Sequence, residues 1–200
     1  FGEINEYTSR NVVNSLLIFN GENGQMPIVM YINSPGGVLY SMWSILDMMG
    51  TVTAPIFTIG LGSVMSAAVP ILAAGSPGWR FISSHTRLMV HNVHGGTDGS
   101  PDNVKRDAAE LEYQEKEYIE ALARYTKKPI KKVTEDIQKT NYMSPEQAVE
   151  YGIADHIRIV MPSDIHSAAY VDLNQPLTTP QSAKKEKKNA PKDTSTKWSK

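Results

Sequence analysis

Three short segments of this 200-residue chain carry residue types from which acyl-transfer chemistry can be assembled. The first, Gly60-Leu61-Gly62-Ser63-Val64-Met65-Ser66, follows an apolar strand-like run and precedes the small-residue stretch from Ala67 to Gly75. A serine at a strand-to-helix turn presents its oxygen at the positive end of the helix, where an alkoxide is favoured. The commoner use of such a serine is as a plain N-cap. Small side chains at Ala67 and Ala68 leave room for a substrate carbonyl. The second segment, Ser34-Pro35-Gly36-Gly37, is an ordinary tight turn unless its glycines offer backbone N–H groups, unobstructed by a Cβ, to an oxyanion. The third is His91, at the end of a strand-like run, where a neutral imidazole can serve a serine as general base. His91 and His94 also have the spacing of a metal pair. Residues three apart on a strand point to opposite faces, however, and no Cys or close carboxylate accompanies them, so no metal site is expected.

These residues depend on the elements around them. Apolar groups at helical spacing predict a helix over 10–19, and short continuous apolar runs predict buried strands at 28–32, 55–59 and 87–91. Helices are expected over 38–49, 66–74 and 101–126. Strand and helix segments in alternation, broken by Gly and Pro, predict an α/β domain with a mostly parallel sheet and right-handed crossovers.

Composition narrows the function. A formal charge of −1 argues against a dedicated nucleic-acid binder. The absence of cysteine excludes disulfides, thiolate metal sites and a Cys nucleophile. No apolar stretch reaches the roughly 20 residues of a bilayer span, so a soluble chain without a membrane partner is expected. Residues 181–200 hold seven lysines against Glu186 and Asp193, a net charge of +5 that leaves −6 for the rest. With almost no aliphatic side chains to bury, that tail is expected to be disordered and dispensable for folding. A domain over 1–163 and a lysine-rich tail over 164–200 are predicted. The chain starts at Phe1 rather than Met, so a preceding segment is expected to have been removed or to lie outside it.

Tyr31-Ile-Asn-Ser-Pro-Gly-Gly37, Ser66 before a small-residue helix ending Ala74-Gly75, Arg87-Leu-Met-Val-His91 with Gly95-Gly96, and Pro145-Glu-Gln-Ala148-Val-Glu-Tyr-Gly152-Ile-Ala-Asp155 come in an order and spacing that resemble the ClpP caseinolytic protease family. The resemblance runs from about Phe1 to Ile159. It implies the ClpP/crotonase fold, with stacked β-β-α units in a head domain and a protruding handle helix, here 101–126. By position it implies Ser66 as nucleophile, His91 as base, and the Gly37 and Ala67 N–H groups as the oxyanion hole. It also implies a serine endopeptidase acting on unfolded polypeptides, which add as a strand beside the handle, inside two stacked heptameric rings fed by an AAA+ unfoldase. No cofactor is implied for this chain, since ATP is used by the partner ATPase, and the compartment would be the cytoplasm or an organelle matrix or stroma.

Two departures stand out. Thr140 occupies the place of the family's triad Asp, leaving Asp136 and Asn141 as nearby substitutes, and Ala67 replaces the usual Met. A non-catalytic or weakly catalytic ring subunit is therefore the alternative reading. An acyl-CoA enzyme of crotonase type would use the same two N–H donors but has no need of a Ser-His pair, and a signal-peptide-peptidase-like membrane enzyme would need a lysine base. Assembly is expected from an apolar stripe on the handle helix, formed by Val104, Ala108, Leu111, Tyr118, Leu122 and Tyr125.

Overall fold

The computed structural model describes residues 1–158. The expected lysine-rich tail lies outside them. In chain order the elements are α1 (Glu6–Glu22), β1 (Ile28–Ser34), α2 (Leu39–Thr51), β2 (Ile56–Met65), α3 (Ala68–Ala73), β3 (Arg80–Ile82), β4 (Arg87–Val90), α4 (Pro101–Thr126), α5 (Ile130–Ile137), β5 (Asn141–Met143), α6 (Pro145–Tyr151) and β6 (His156–Ile157).

The sheet is mixed and mostly parallel, as the α/β reading predicts. β2 is its axis. It pairs with β1 on one side, while on the other its first half pairs with β3 and its second half with β4, all parallel. β6 continues the parallel edge beyond β3, and β5 closes the β4 edge antiparallel. A ten-residue β2 replaces the expected run of five because Gly60 and Gly62 do not break it. Gly62 takes φ +61° against the Asn33 side chain, where the β1 register slips between Ile32 and Ser34. That slip lets β2 carry the chain past the sheet centre to Ser66.

One apolar core, including Met42, Val64, Leu72, Leu88, Leu122, Ile137 and Ile153, fills the space between the sheet and helices α2 to α6. Phe57, Ile59, Trp79 and Phe81 form a second cluster, with Phe57 and Trp79 stacked at 4.0 Å. α1 starts with a capping box in which Asn5 accepts from the Thr8 N–H and Thr8 accepts from the Asn5 N–H.

α4 matches its predicted bounds because both ends are signalled. Ser100 caps it, Pro101 opens it, Asp102 and Arg124 suit the dipole at either end, and Lys127 stops it with φ +58°. Its first ten residues, 101–110, are all exposed, with Asp107 and Glu110 held by Thr97 and Tyr40. The expected apolar stripe is divided. Tyr118 and Leu122 are buried within the chain, where α4 packs on α3 and α5, so only its N-terminal part remains uncovered.

Candidate active site

β2 ends at Met65 and α3 begins at Ala68, so Ser66 sits in the turn between them with φ +52°. A non-glycine residue in the left-handed region carries strain of order 1–3 kcal/mol and persists only where its surroundings hold it. Here the Ser66 N–H donates to the Met89 carbonyl of β4 at 2.7 Å, and the Ser66 carbonyl accepts from the Val69 N–H at 3.0 Å and the Tyr118 hydroxyl at 3.3 Å. α3 has only six residues, against the nine expected, so the dipole argument contributes little and the strained turn does the presenting. Ala67 is fully buried as the N-cap residue of that helix.

The Gly36-Gly37 turn lies against this elbow. A Cβ on Gly36 would stand 2.7 Å from both the Met65 carbonyl oxygen and the Ser66 Cβ, and one on Gly37 would stand 2.1 Å from the Ile4 carbonyl oxygen. Both glycines have positive φ, +96° and +150°. The turn is pinned from outside by residues before α1: Ile4 N–H donates to the Gly36 carbonyl, and Val38 N–H donates to the Ile4 carbonyl, each at 2.8 Å. Ser34 Oγ accepts from the Gly36 N–H. Among the described residues, neither the Gly37 nor the Ala67 N–H is hydrogen-bonded to a backbone carbonyl or a side chain.

Ser66, Gly37 and His91 line one cleft of about 750 Å³. Its far wall is α4, through Asp107, Glu110, Leu111, Gln114 and Tyr118, and its lip is the irregular segment after β4. The Gly95 segment follows α4, where a Cβ on Gly95 would meet Leu111, and Thr97 donates to the Asp107 carboxylate. That segment is not paired as a strand.

His91 is the first residue past β4 and is partly buried. Burial, followed by the neighbouring His94, lowers its pKa below the usual histidine value, against a smaller upward effect from the Asn92 backbone. The imidazole is therefore neutral at neutral pH, the state a general base requires. It is not hydrogen-bonded to Ser66 in this conformation. His94 is not on an opposite face, as expected above, because the strand stops at Val90. The two rings lie 4.4 Å apart and both line the cleft. Among the described residues, no group of three His, Cys, Asp or Glu side chains is arranged to hold a metal.

The three candidates for an orienting partner fall in different places. β5 runs antiparallel to β4, with Leu88 opposite Met143 and Val90 opposite Asn141, where the ladder ends; Thr140 precedes β5, is exposed and does not line the cleft. Asn141 pairs with Val90 and is likewise absent from the cleft lining. Asp136 accepts from Lys132 Nζ and from the Tyr151 hydroxyl, and it does not line the cleft. Sequence reasoning missed Ile4, which pins the glycine turn, and Tyr40, Glu110 and Gln114 in the cleft wall. It placed Tyr118 at an interface. A signal for the last three lay in their four-residue spacing on α4.

A family model described as Clp protease matches residues 1–160. Over 154 residues the chain is 36% identical to the ATP-dependent Clp protease proteolytic subunit 1 of Salinibacter ruber, an alignment covering 77% of this chain and 66% of that relative. The chain thus spans just under two thirds of the relative's length.

Proposed function

The chain belongs to the Clp protease family, and from that premise we propose that it is a serine endopeptidase subunit that cleaves unfolded polypeptides. The observation that carries the reading is the strained Ser66 elbow, which shares a cleft with a neutral His91 and is flanked by two uncommitted N–H donors. Ser66 Oγ attacks the scissile carbonyl while His91 takes its proton and later returns it to the leaving amine. The Gly37 and Ala67 N–H groups receive the oxyanion. In this reading Thr140, at the triad Asp's place in the sequence, orients the imidazole without stabilising its cation, so the acyl-transfer machinery works below the level of a full triad. The unpaired backbone after His91 and the glycine turn form the two edges of the peptide site, giving recognition through main-chain hydrogen bonds.

Ring assembly and feeding by an ATPase are part of this proposal, as is a cytoplasmic, matrix or stromal location. Among the described residues no helix is long and apolar enough to cross a membrane. The test is labelling of the full-length protein by a fluorophosphonate probe, with Ser66→Ala as control. Labelling of the parent and not of the variant is the expected result. No labelling of the parent would favour the weakly catalytic or non-catalytic reading.

A further inference from the structure

Three polar side chains at intervals of four residues along α4 join two parts of the site. Glu110 Oε1 accepts from the Tyr40 hydroxyl in the first turn of α2 at 2.8 Å. It also accepts from Gln114 Nε2 at 2.8 Å, and Gln114 Oε1 in turn accepts from Trp43 Nε1 of α2 at 2.8 Å. One turn further on, the buried Tyr118 hydroxyl donates to the Ser66 carbonyl. Residues four apart share one face of a helix. A single face of α4 therefore holds, on one side, the helix that begins two residues after Gly37, and on the other, the strained nucleophile turn.

The arrangement is costly to leave incomplete. Gln114 is 7% exposed and Tyr118 2% exposed, so both must spend their polar atoms locally. The Glu110 carboxyl is held below its usual range by Gln114 and then Tyr40, which keeps the acceptor ionised. The two contacts at Ser66 and α2 are more than 50 residues apart in sequence from their partners on α4. The β1–β2 ladder and the Ile4 bonds bring the Gly37 turn beside Ser66, and α4 adds tethers to α2 after that turn and to the Ser66 carbonyl.

Resting on the serine peptidase reading above, we propose that Glu110, Gln114 and Tyr118 are positioning residues that fix the oxyanion turn relative to the nucleophile. They act through α2 and the Ser66 backbone, and none of them takes part in bond making. Small displacements of such groups cost large factors in rate, up to about a hundredfold for 1 Å. Loss of one anchor is therefore expected to lower kcat roughly tenfold and to leave KM within about twofold.

The experiment uses the full-length protein, the variants Glu110→Leu, Glu110→Gln and Tyr118→Phe, and two measurements. Steady-state cleavage of a fluorogenic peptide gives kcat and KM separately, and hydrogen exchange by mass spectrometry follows residues 34–40. Glu110→Leu and Tyr118→Phe should lose kcat with little change in KM. Glu110→Gln, which keeps an acceptor for both donors, should retain most of it. Exchange over 34–40 should quicken in Glu110→Leu and not in Glu110→Gln. Unchanged kcat in both damaging variants, a rise in KM alone, or unaltered exchange over 34–40 would each overturn the proposal. If the parent is not labelled at Ser66, the peptidase reading fails by itself, and the exchange measurement still decides whether the stripe holds the turn.

Discussion

Thr140, just before β5, stands in the sequence where the family resemblance places a triad carboxylate, and it brings a hydroxyl instead. A carboxylate there would hold the imidazole and stabilise its cation during proton transfer; a hydroxyl does only the first. Thr140→Asp is expected to raise kcat about tenfold or more, measured with a small fluorogenic peptide. Asp136→Asn should not collapse activity, because its carboxylate is occupied by Lys132 and Tyr151 away from the cleft. A selective collapse in Asp136→Asn would instead make Asp136 the third member. His94 gives a second residue-level prediction. Its charge disfavours the cationic form of His91, so removing it lets the His91 pKa rise, although burial still holds that pKa below the ordinary value. Activity requires the neutral base and falls as pH drops through this pKa. The acid limb of kcat/KM in His94→Asn should therefore move to higher pH. An unmoved or downward-shifted limb would remove His94 from the account.

Arg80, on the three-residue β3, ties more elements together than any other described side chain. Its guanidinium pairs with Asp155, just before β6, and donates to the carbonyls of Ala73 at the end of α3, Tyr125 near the end of α4 and Gly152 after α6. Burial pushes the Asp155 carboxyl up, but the hydrogen bonds and charge of Arg80, with the Arg80 and Gly78 backbone, outweigh it and hold the group below its usual range. Arg80→Met leaves Asp155 buried and unpaired, with an expected loss of about 3–5 kcal/mol in urea unfolding. Because the folded pKa is depressed, the stability from Asp155 is present above its unfolded value near 4 and is lost as pH falls through the folded one. In Arg80→Met that acid-dependent part should shrink. Little of this clamp was legible in the sequence. β3, β5 and β6 are two or three residues long, too short to show a period, and the partners of Arg80 come from distant parts of the chain. The long elements were readable because they carry local signals: a continuous apolar run in β1, and caps and charges at both ends of α4. β2 was read short because glycines usually end a strand, whereas here Gly60 packs against Val64 and Leu72, and Gly62 against Asn33. Ser66, His91 and Gly37 were found from type and spacing, and the structure brings them to one cleft. The Tyr40–Glu110–Gln114–Trp43 chain was not found, since nothing local links α2 to α4.

At the scale of the molecule, the exposed half of α4 is a poor end-state for a lone chain. Its first ten residues are exposed and held to the body through Asp107 and Glu110, and isolated helices of that length are marginal. Val104 and Tyr113 are exposed on this half, and α1 also exposes Leu17, Ile18 and Phe19. Tyr118 and Leu122, by contrast, are covered within the chain, so the apolar surface that α4 offers for assembly lies mostly in its N-terminal part. The cleft wall begins on that same part, at Asp107 and Glu110, so a partner that orders it also orders the site. Full-length protein at micromolar concentration is therefore expected to scatter light as a multiple of the monomer mass. Val104→Asp, which places a charge in the projecting face without touching the core, should shift the distribution to smaller species and lower peptidase activity in parallel. Activity that survives complete conversion of Val104→Asp to monomer would show that the α4 wall is ordered within one chain. A parent that is monomeric at this concentration would remove the ring from the proposed function and leave a single-chain peptidase.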